Sequence, residues 1–517
     1  MGEPAESALE VKTTGSKLLL PVSEFLGFPL DQVNFLACQL SALAAAFWFR
    51  LYLGPGHANP LVRHAVAALL GVVFLFFCFG WYSYMLLVVL ASYLIVIKAD
   101  INNVHRYSMV ASVGYLTACQ VSRAFIYNYG VLSTDFSGPL MIVTQKITTL
   151  AFQLHDGEDL PSSSSSRSVR PSLLEYLSYN LNFLSVFVGP CSNFKEYIDF
   201  IEGRHIGRRL GQHSGTCNGQ NGYEKTPEPS PPGKDMNNAV CRKLLVCSGC
   251  MLFFLTLTRS LPIKYNVDPH FVSRAPFLTR LTYAFFSIQA ARPKFYFAWT
   301  LADAVNNAAG YGFLGLDENG KPSWDLICNL NILGIETATS FKRFIDNWNI
   351  QTGIWLKTVC YDRAPKHRLA LTFILSALWH GVYPGYYFTF ITAIPVTMAA
   401  RAVRKSFRIY FLGSRGLKLG YDVLTWAATQ LAICYTVMPF LLLAVEPTLV
   451  YYRSMYFHIH IISILAVIGL HWNHKPSEPS ATTERFSSSS SSSSFSSSSP
   501  CSAQCQPVHS NNIDKVD

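Results

Sequence analysis

The chain has 517 residues, of which half are hydrophobic and only 14% are charged, and its mean hydropathy is +0.24. That balance excludes an ordinary string of soluble domains and indicates an all-α, multi-spanning membrane protein. The net charge of +10 is gathered at segment ends, at Arg204 to Arg209, Arg401 to Arg408, and Lys342 with Arg343. Such clusters flank membrane spans on the cytoplasmic side, or attract an anionic co-substrate or anionic headgroups; no nucleic-acid partner is expected.

In chain order, residues 1–31 are a polar head that ends in a short amphipathic stretch, Leu18 to Leu30. Apolar runs predict spans at about 33–53, 63–80, 82–98 and 108–128. Residues 133–157 hold Gln145 and Lys146 inside an apolar run and read as an interfacial or re-entrant helix. Residues 158–171 are a Ser-rich linker. Residues 172–190 are span-like in spite of Glu175, Asn180 and Asn182, and residues 202–237 read as an exposed loop. Spans resume at about 241–262, 276–292 and 293–312. The last of these places Asp303, Asn306 and Asn307 on one helix face, as glue between helices or as the lining of a cavity. After a polar connection at 313–341, the stretch 342–387 supplies an amphipathic region, a span ending at His380, and a second span at 384–400 or the rest of one kinked helix. Two spans, about 421–445 and 450–471, close the membrane part. The expected architecture is therefore roughly ten to twelve transmembrane helices plus re-entrant or interfacial helices around a central cavity. It covers 32–472 and is followed by a disordered Ser-rich tail, 473–517, with too few apolar residues to build a core.

The thirteen cysteines are scattered, many in apolar runs, and suggest no disulfide framework. Cys247 and Cys250 form a C-x-x-C with no second pair, which reads as packing rather than a metal or redox site. His458 and His460 are two apart, do not share a helix face and make a poor ligand pair. No metal is expected, and there is no Walker loop, no dinucleotide-binding glycine set and no G-x-S-x-G.

The chemistry points to 342–387. Twelve residues separate Arg368 from His380, about 18 Å of helix. With Arg368 near one interface, His380 lies beyond the midplane of a core about 30 Å thick, and an ionisable residue at that depth is a functional candidate. Gly381 then breaks the helix and lets a ligand or backbone approach closely. Upstream, Asp346, Asn347 and Asn349 alternate with Trp348 and Trp355. Asn349 offers both a donor and an acceptor to orient the imidazole or to polarise a carbonyl. A satisfied core histidine is the plain alternative for His380.

The stretches NWNIQTGIW and WHGVYPGYY resemble the membrane-bound O-acyltransferase family, in its lysophospholipid acyltransferase branch, and the resemblance covers about residues 20–470, including PKFYFAWTLADAVNNAAG and STDFSGPLMIVTQKITTLAF. It departs at the Ser-rich linker, at 211–237 and in the tail. It implies transfer of an acyl group from acyl-CoA to the free hydroxyl of a lysophospholipid (lysophosphatidylethanolamine, lysophosphatidylserine or lysophosphatidylcholine) at the endoplasmic reticulum membrane. In that role His380 is the base and Asn349 its partner, with acyl-CoA as co-substrate and no further cofactor. Acyl-CoA then enters from the cytosol and the lysolipid laterally from the bilayer. Lys342, Arg343, Lys357, Arg363, Lys366 and Arg368 are candidates to attract the CoA phosphates or are ordinary interfacial charges. An acyltransferase for a protein, sterol or diacylglycerol acceptor, and a lipid transporter, are the competing readings. Headgroup, acyl preference and oligomeric state stay open.

Overall fold

The computed structural model describes residues 15–126, 136–157, 170–215, 233–317 and 320–472. The tail and most of the 158–171 linker lie outside the described residues. The described residues all fall in one compact unit.

The described chain is helical apart from a two-residue hairpin pairing Gly315 and Leu316 with Pro322 and Ser323. The first helices are α1 (Leu20–Leu26), α2 (Leu30–Tyr52), α3 (Pro60–Phe79), α4 (Val88–Lys98) and α5 (Ile101–Ile126). A 3-10 segment, Gly80–Leu87, precedes α4 and shortens the span expected at 82–98. Then come α6 (Ser137–Asp156), α7 (Leu173–Leu181), α8 (Phe194–Ile201), α9 (His205–Gly215), α10 (Gly233–Leu257), α11 (Pro269–Arg274) and α12 (Phe277–Ala308). Short helices α13 (Ile332–Glu336), α14 (Phe341–Asn347) and α15 (Ile350–Leu356) lead to α16 (Arg368–His380), α17 (Pro384–Phe407), α18 (Arg415–Leu442), α19 (Val445–Ser454) and α20 (His458–Trp472).

Among the described residues four helices, α2, α3, α10 and α18, are long and apolar enough to cross a membrane, or five spans if α19 and α20, bent by 72°, form one. This is fewer than the ten to twelve read from the sequence. Other long helices, among them α6 and α12, carry polar side chains that pair inside the bundle, so length and apolarity no longer coincide in them.

Helix α6 corrects the interfacial reading most clearly. Thr144, Gln145, Lys146 and Thr148 are each at most 1% exposed. Lys146 Nζ donates to the carbonyl of Tyr179 at 2.9 Å and to Ser185 Oγ at 2.5 Å. These groups mark a buried central helix because other segments supply their partners.

Segment 172–190 is not a span. A capping box of Ser172 and Glu175 starts α7. Asn182 then turns its amide onto the carbonyls of Ser178 and Tyr179, a local bond that competes with further helix. The two spans expected at 276–292 and 293–312 are one 32-residue helix, α12, with Pro293 inside it. The expected loop at 202–237 contains helical turns at both ends, in α9 and the start of α10; residues 216–232 lie outside the described residues.

The stripe on α12 is glue. Lys243 Nζ lies 2.7 Å from Asp303 Oδ2, Asn306 donates to the carbonyl of Leu184, and Asn307 to that of Trp324. Asp303, Asp325 and Cys328 stand close enough to share an ion, but the Lys243 ammonium already bridges both carboxylates. The Arg204 to Arg209 cluster is likewise consumed locally: Arg204 and Arg208 pair with Asp199, and Arg209 with Glu196.

Candidate active site

Helix α16 ends where Gly381 takes φ 145°, ψ −170°, a backbone conformation that side-chain-bearing residues rarely adopt. A Cβ there would also lie 3.2 Å from the Tyr386 ring. Helix α17 restarts at once, and its Gly385 packs so closely on α18 that a Cβ would meet the carbonyl of Pro439. The break holds His380 as the last residue of α16, facing the start of α17 and the end of α18.

The imidazole is surrounded by rings. Phe390 stacks on it at 5.2 Å and 20°, Phe440 meets it edge-on at 5.0 Å, and Trp379 and Tyr386 stand at 4.7 and 5.7 Å. His380 is nevertheless only partly buried. Among the described residues no hydrogen bond to either ring nitrogen is formed, and the residue keeps some exposure. It is therefore not the satisfied core histidine of the plain alternative.

Asn349 opens α15 in the left-handed conformation, φ 50° and ψ 53°, which asparagine tolerates better than most residues. The segment before α13 imposes it. Ile350 N–H donates to the carbonyl of Asn329 at 2.8 Å and Asn331 N–H to that of Asn347 at 3.0 Å. Gln351 N–H donates to Asn329 Oδ1. The Asn349 side chain makes no capping bond and is partly accessible.

Helix α6 relates the two candidates. Its Met141 carbonyl accepts Trp379 Nε1–H at 3.0 Å, its Gln145 amide donates to Thr352 Oγ1 at 2.9 Å, and Thr148 Oγ1 accepts Trp355 Nε1–H at 2.9 Å. So α15 runs alongside α6 in the same direction. Asn349 lies three residues before Thr352, about 4.5 Å of helix, and Met141 four residues before Gln145, about 6 Å. Both candidates thus sit near the Met141 level of α6. They are not hydrogen-bonded to each other among the described residues, and the Asn349 side chain makes no capping bond.

Sequence reasoning missed Gln120 of α5. It is 4% exposed and donates Nε2–H to the Trp379 carbonyl at 2.9 Å, satisfying one of the carbonyls that a helix C-terminus leaves open. Its Oε1 is buried without a partner. The available signal was a glutamine within an otherwise small and apolar stretch of α5, too common a feature to single out.

Of the basic residues near the site, Arg363 pairs with Asp156 and covers the Phe152 ring, and Arg368 Nε donates to the carbonyl of Ala364. Lys342, Lys357 and Lys366 are exposed. Cys247 is buried with Sγ toward the carbonyl of Phe297, and Cys250 packs in an apolar cluster. His460 is held by Thr392 and Tyr435 on its two ring nitrogens.

The model of the membrane-bound O-acyltransferase family matches residues 140–442, which include both candidates. The chain is 57% identical over 481 residues to membrane-bound glycerophospholipid O-acyltransferase 1 of Mus musculus, across 92% of this chain and 96% of that protein. It is 53% identical over 472 residues to membrane-bound glycerophospholipid O-acyltransferase 2 of Homo sapiens, across 89% and 88%. Lysophospholipid acyltransferase 6 of Drosophila melanogaster is 37% identical over 88% of this chain and 63% of its own length.

Proposed function

This chain belongs to the membrane-bound O-acyltransferase family, and from that premise we propose that it moves an acyl group from acyl-CoA to the free hydroxyl, usually at sn-2, of a lysophospholipid. The setting is phospholipid remodelling in the endoplasmic reticulum membrane, with lysophosphatidylethanolamine, lysophosphatidylserine or lysophosphatidylcholine as acceptor. The observation that carries the chemistry is His380, at a helix break, ringed by aromatics and without a hydrogen-bond partner among the described residues.

In this reading the imidazole takes the proton of the lysolipid hydroxyl. The hydroxyl oxygen attacks the thioester carbonyl carbon, and the resulting oxyanion is stabilised by an amide N–H, a role for which Asn349, with no capping bond of its own, is the candidate. Collapse breaks the carbon–sulfur bond. The CoA thiolate leaves and takes the proton back from the imidazolium. The aromatic wall of Phe390, Phe440 and Tyr386 gives an acyl chain an apolar surface beside the base.

Purified protein, labelled acyl-CoA and a panel of lysophospholipids with sterol, diacylglycerol and peptide acceptors form the test. Labelled phospholipid with a matching lysolipid is expected. Label only in another acceptor class, or none in any, would overturn the reading.

A further inference from the structure

A cavity of about 380 Å³ opens where the C-terminal ends of α2 and α12 meet the starts of α3 and α9. Its size suits a small ligand (~300–1,000 Å³). Arg50, Arg63, His205 and Trp324 are in its wall, with apolar cover from Leu51, Pro55 and Ile206; neither His380 nor Asn349 is. None of the lining residues is a carboxylate.

Arg63 is 2% exposed. Its Nη1 donates to the carbonyls of Phe200 and Ile201, and its guanidinium lies 5.1 Å from the Phe49 ring and 5.4 Å from that of Phe200. Nε is buried with no acceptor, and the two carbonyl bonds of the guanidinium both run from Nη1. Arg50 is held by Asn237 Oδ1 and Met236 Sδ, again without a carboxylate. Trp324 is 4% exposed, and its Nε1–H has no acceptor. His205 shares its Nε2 hydrogen with the carbonyl of Gly310 at 3.0 Å, and burial pushes the imidazole down to about 4, so it is neutral near pH 7. The charge facing the cavity comes from arginine.

Some buried cations of the fold have counter-charges, Lys243 with Asp303 and Asp325 and Arg292 with Glu336, whereas Lys146 and Arg280 have neutral acceptors and do not line this cavity. A buried cation without a counter-charge is unfavourable, and a buried donor without an acceptor is too. At this cavity both conditions occur together, beside apolar cover.

We propose that the cavity binds a phosphate-bearing amphiphile, with the Arg50 and Arg63 guanidiniums and the Trp324 N–H on the phosphate oxygens and the apolar wall on the adjoining part of the ligand. The phosphate ester belongs either to a lipid headgroup or to a CoA-type nucleotide. The inference is independent of acyl transfer, because it is read by binding without turnover.

The test uses the full-length protein in neutral detergent. Affinities are measured for dioleoyl phosphatidic acid in mixed micelles, for desulfo-CoA, for inorganic phosphate, and for dioleoylglycerol as the phosphate-free control. At least one phosphate ester is expected to bind in preference to dioleoylglycerol, with affinity falling as salt rises. Arg50→Gln and Trp324→Phe are each expected to weaken that ester about tenfold or more, since both remove a bond to a charged group. A lipid-only response assigns the site to a headgroup, and a desulfo-CoA response to a nucleotide; both support the proposal. Binding of both esters left unchanged by both substitutions, equal binding of dioleoylglycerol, or no ester binding at all overturns it. Arg63→Gln also removes the caps on Phe200 and Ile201, so the two milder variants carry the test, each checked for normal elution and helicity.

Discussion

Gln120 and Trp379 are joined across 259 positions by one hydrogen bond: the Gln120 amide of α5 holds the main-chain oxygen that immediately precedes His380. That bond fixes the last turn of α16 just before the glycine break, so the direction of the candidate base depends on a helix from the other half of the chain.

Gln120→Leu is therefore expected to lower kcat with little change in KM, by misplacing the imidazole rather than the substrates. Gln120→Glu separates positioning from packing. A protonated carboxyl can donate to the Trp379 carbonyl, whereas a carboxylate repels it. The variant should regain activity as pH falls, along a titration absent from the parent enzyme. Equal, pH-independent loss in both variants would leave Gln120 with a packing role only.

His380→Ala is expected to abolish acyl transfer while the protein remains folded, since general-base assistance is worth about 100- to 10,000-fold. Asn349→Ala should cost about 100- to 1,000-fold. The two side chains are not bonded to each other, and the double variant reports whether they act in one step: a loss little beyond the worse single variant means one unit, multiplicative losses mean separate roles. Cys250→Ala should keep near-normal activity; inactivation there would indicate an acyl-cysteine intermediate.

The Gln145–Thr352 bond ties the start of α15 to α6. Thr352→Val keeps the shape and strands the Gln145 donor, which is 1% exposed, at a cost of about 1–3 kcal/mol. Lower thermal stability and a reduced kcat are expected together. Replacing both partners with apolar groups, Gln145→Leu with Thr352→Val, should recover much of the stability but not the rate. A double variant less stable than Thr352→Val would count against the bond as the coupling element.

His205 gives α9 a pH dependence. Burial holds its imidazole at about 4 against an ordinary 6.5, opposed only partly by the Gly310 carbonyl. Below pH 6.5 the unfolded segment binds a proton that the folded one refuses, so stability contributed by His205 is full above about 6.5 and is lost progressively as pH falls toward 4. Amide protection over residues 200–212, taken relative to the intrinsic exchange rate at each pH, should fall through that window. His205→Gln should remove that loss of protection. A pH response that persists in the variant would assign it to another group.

The amino-acid sequence by itself determined the class of this protein and its candidate chemistry. Apolar runs, an asparagine among tryptophans, and a histidine before a helix-breaking glycine are local patterns, and burial, backbone freedom and hydrogen-bonding capacity follow from residue type. Tertiary structure decided what those residues meet. Lys146 looked like an interruption at an interface until Tyr179 and Ser185 supplied its acceptors, and Asp303, Asn306 and Asn307 were open between glue and cavity until Lys243, Leu184 and Trp324 claimed them. Pro293 marked a span boundary on paper and lies inside one continuous helix in the fold. Gln120, Arg50 and Arg63 carried no periodic signature. Their roles rest on partners far away in sequence, and such pairing leaves no trace in composition or spacing because packing alone brings the groups together.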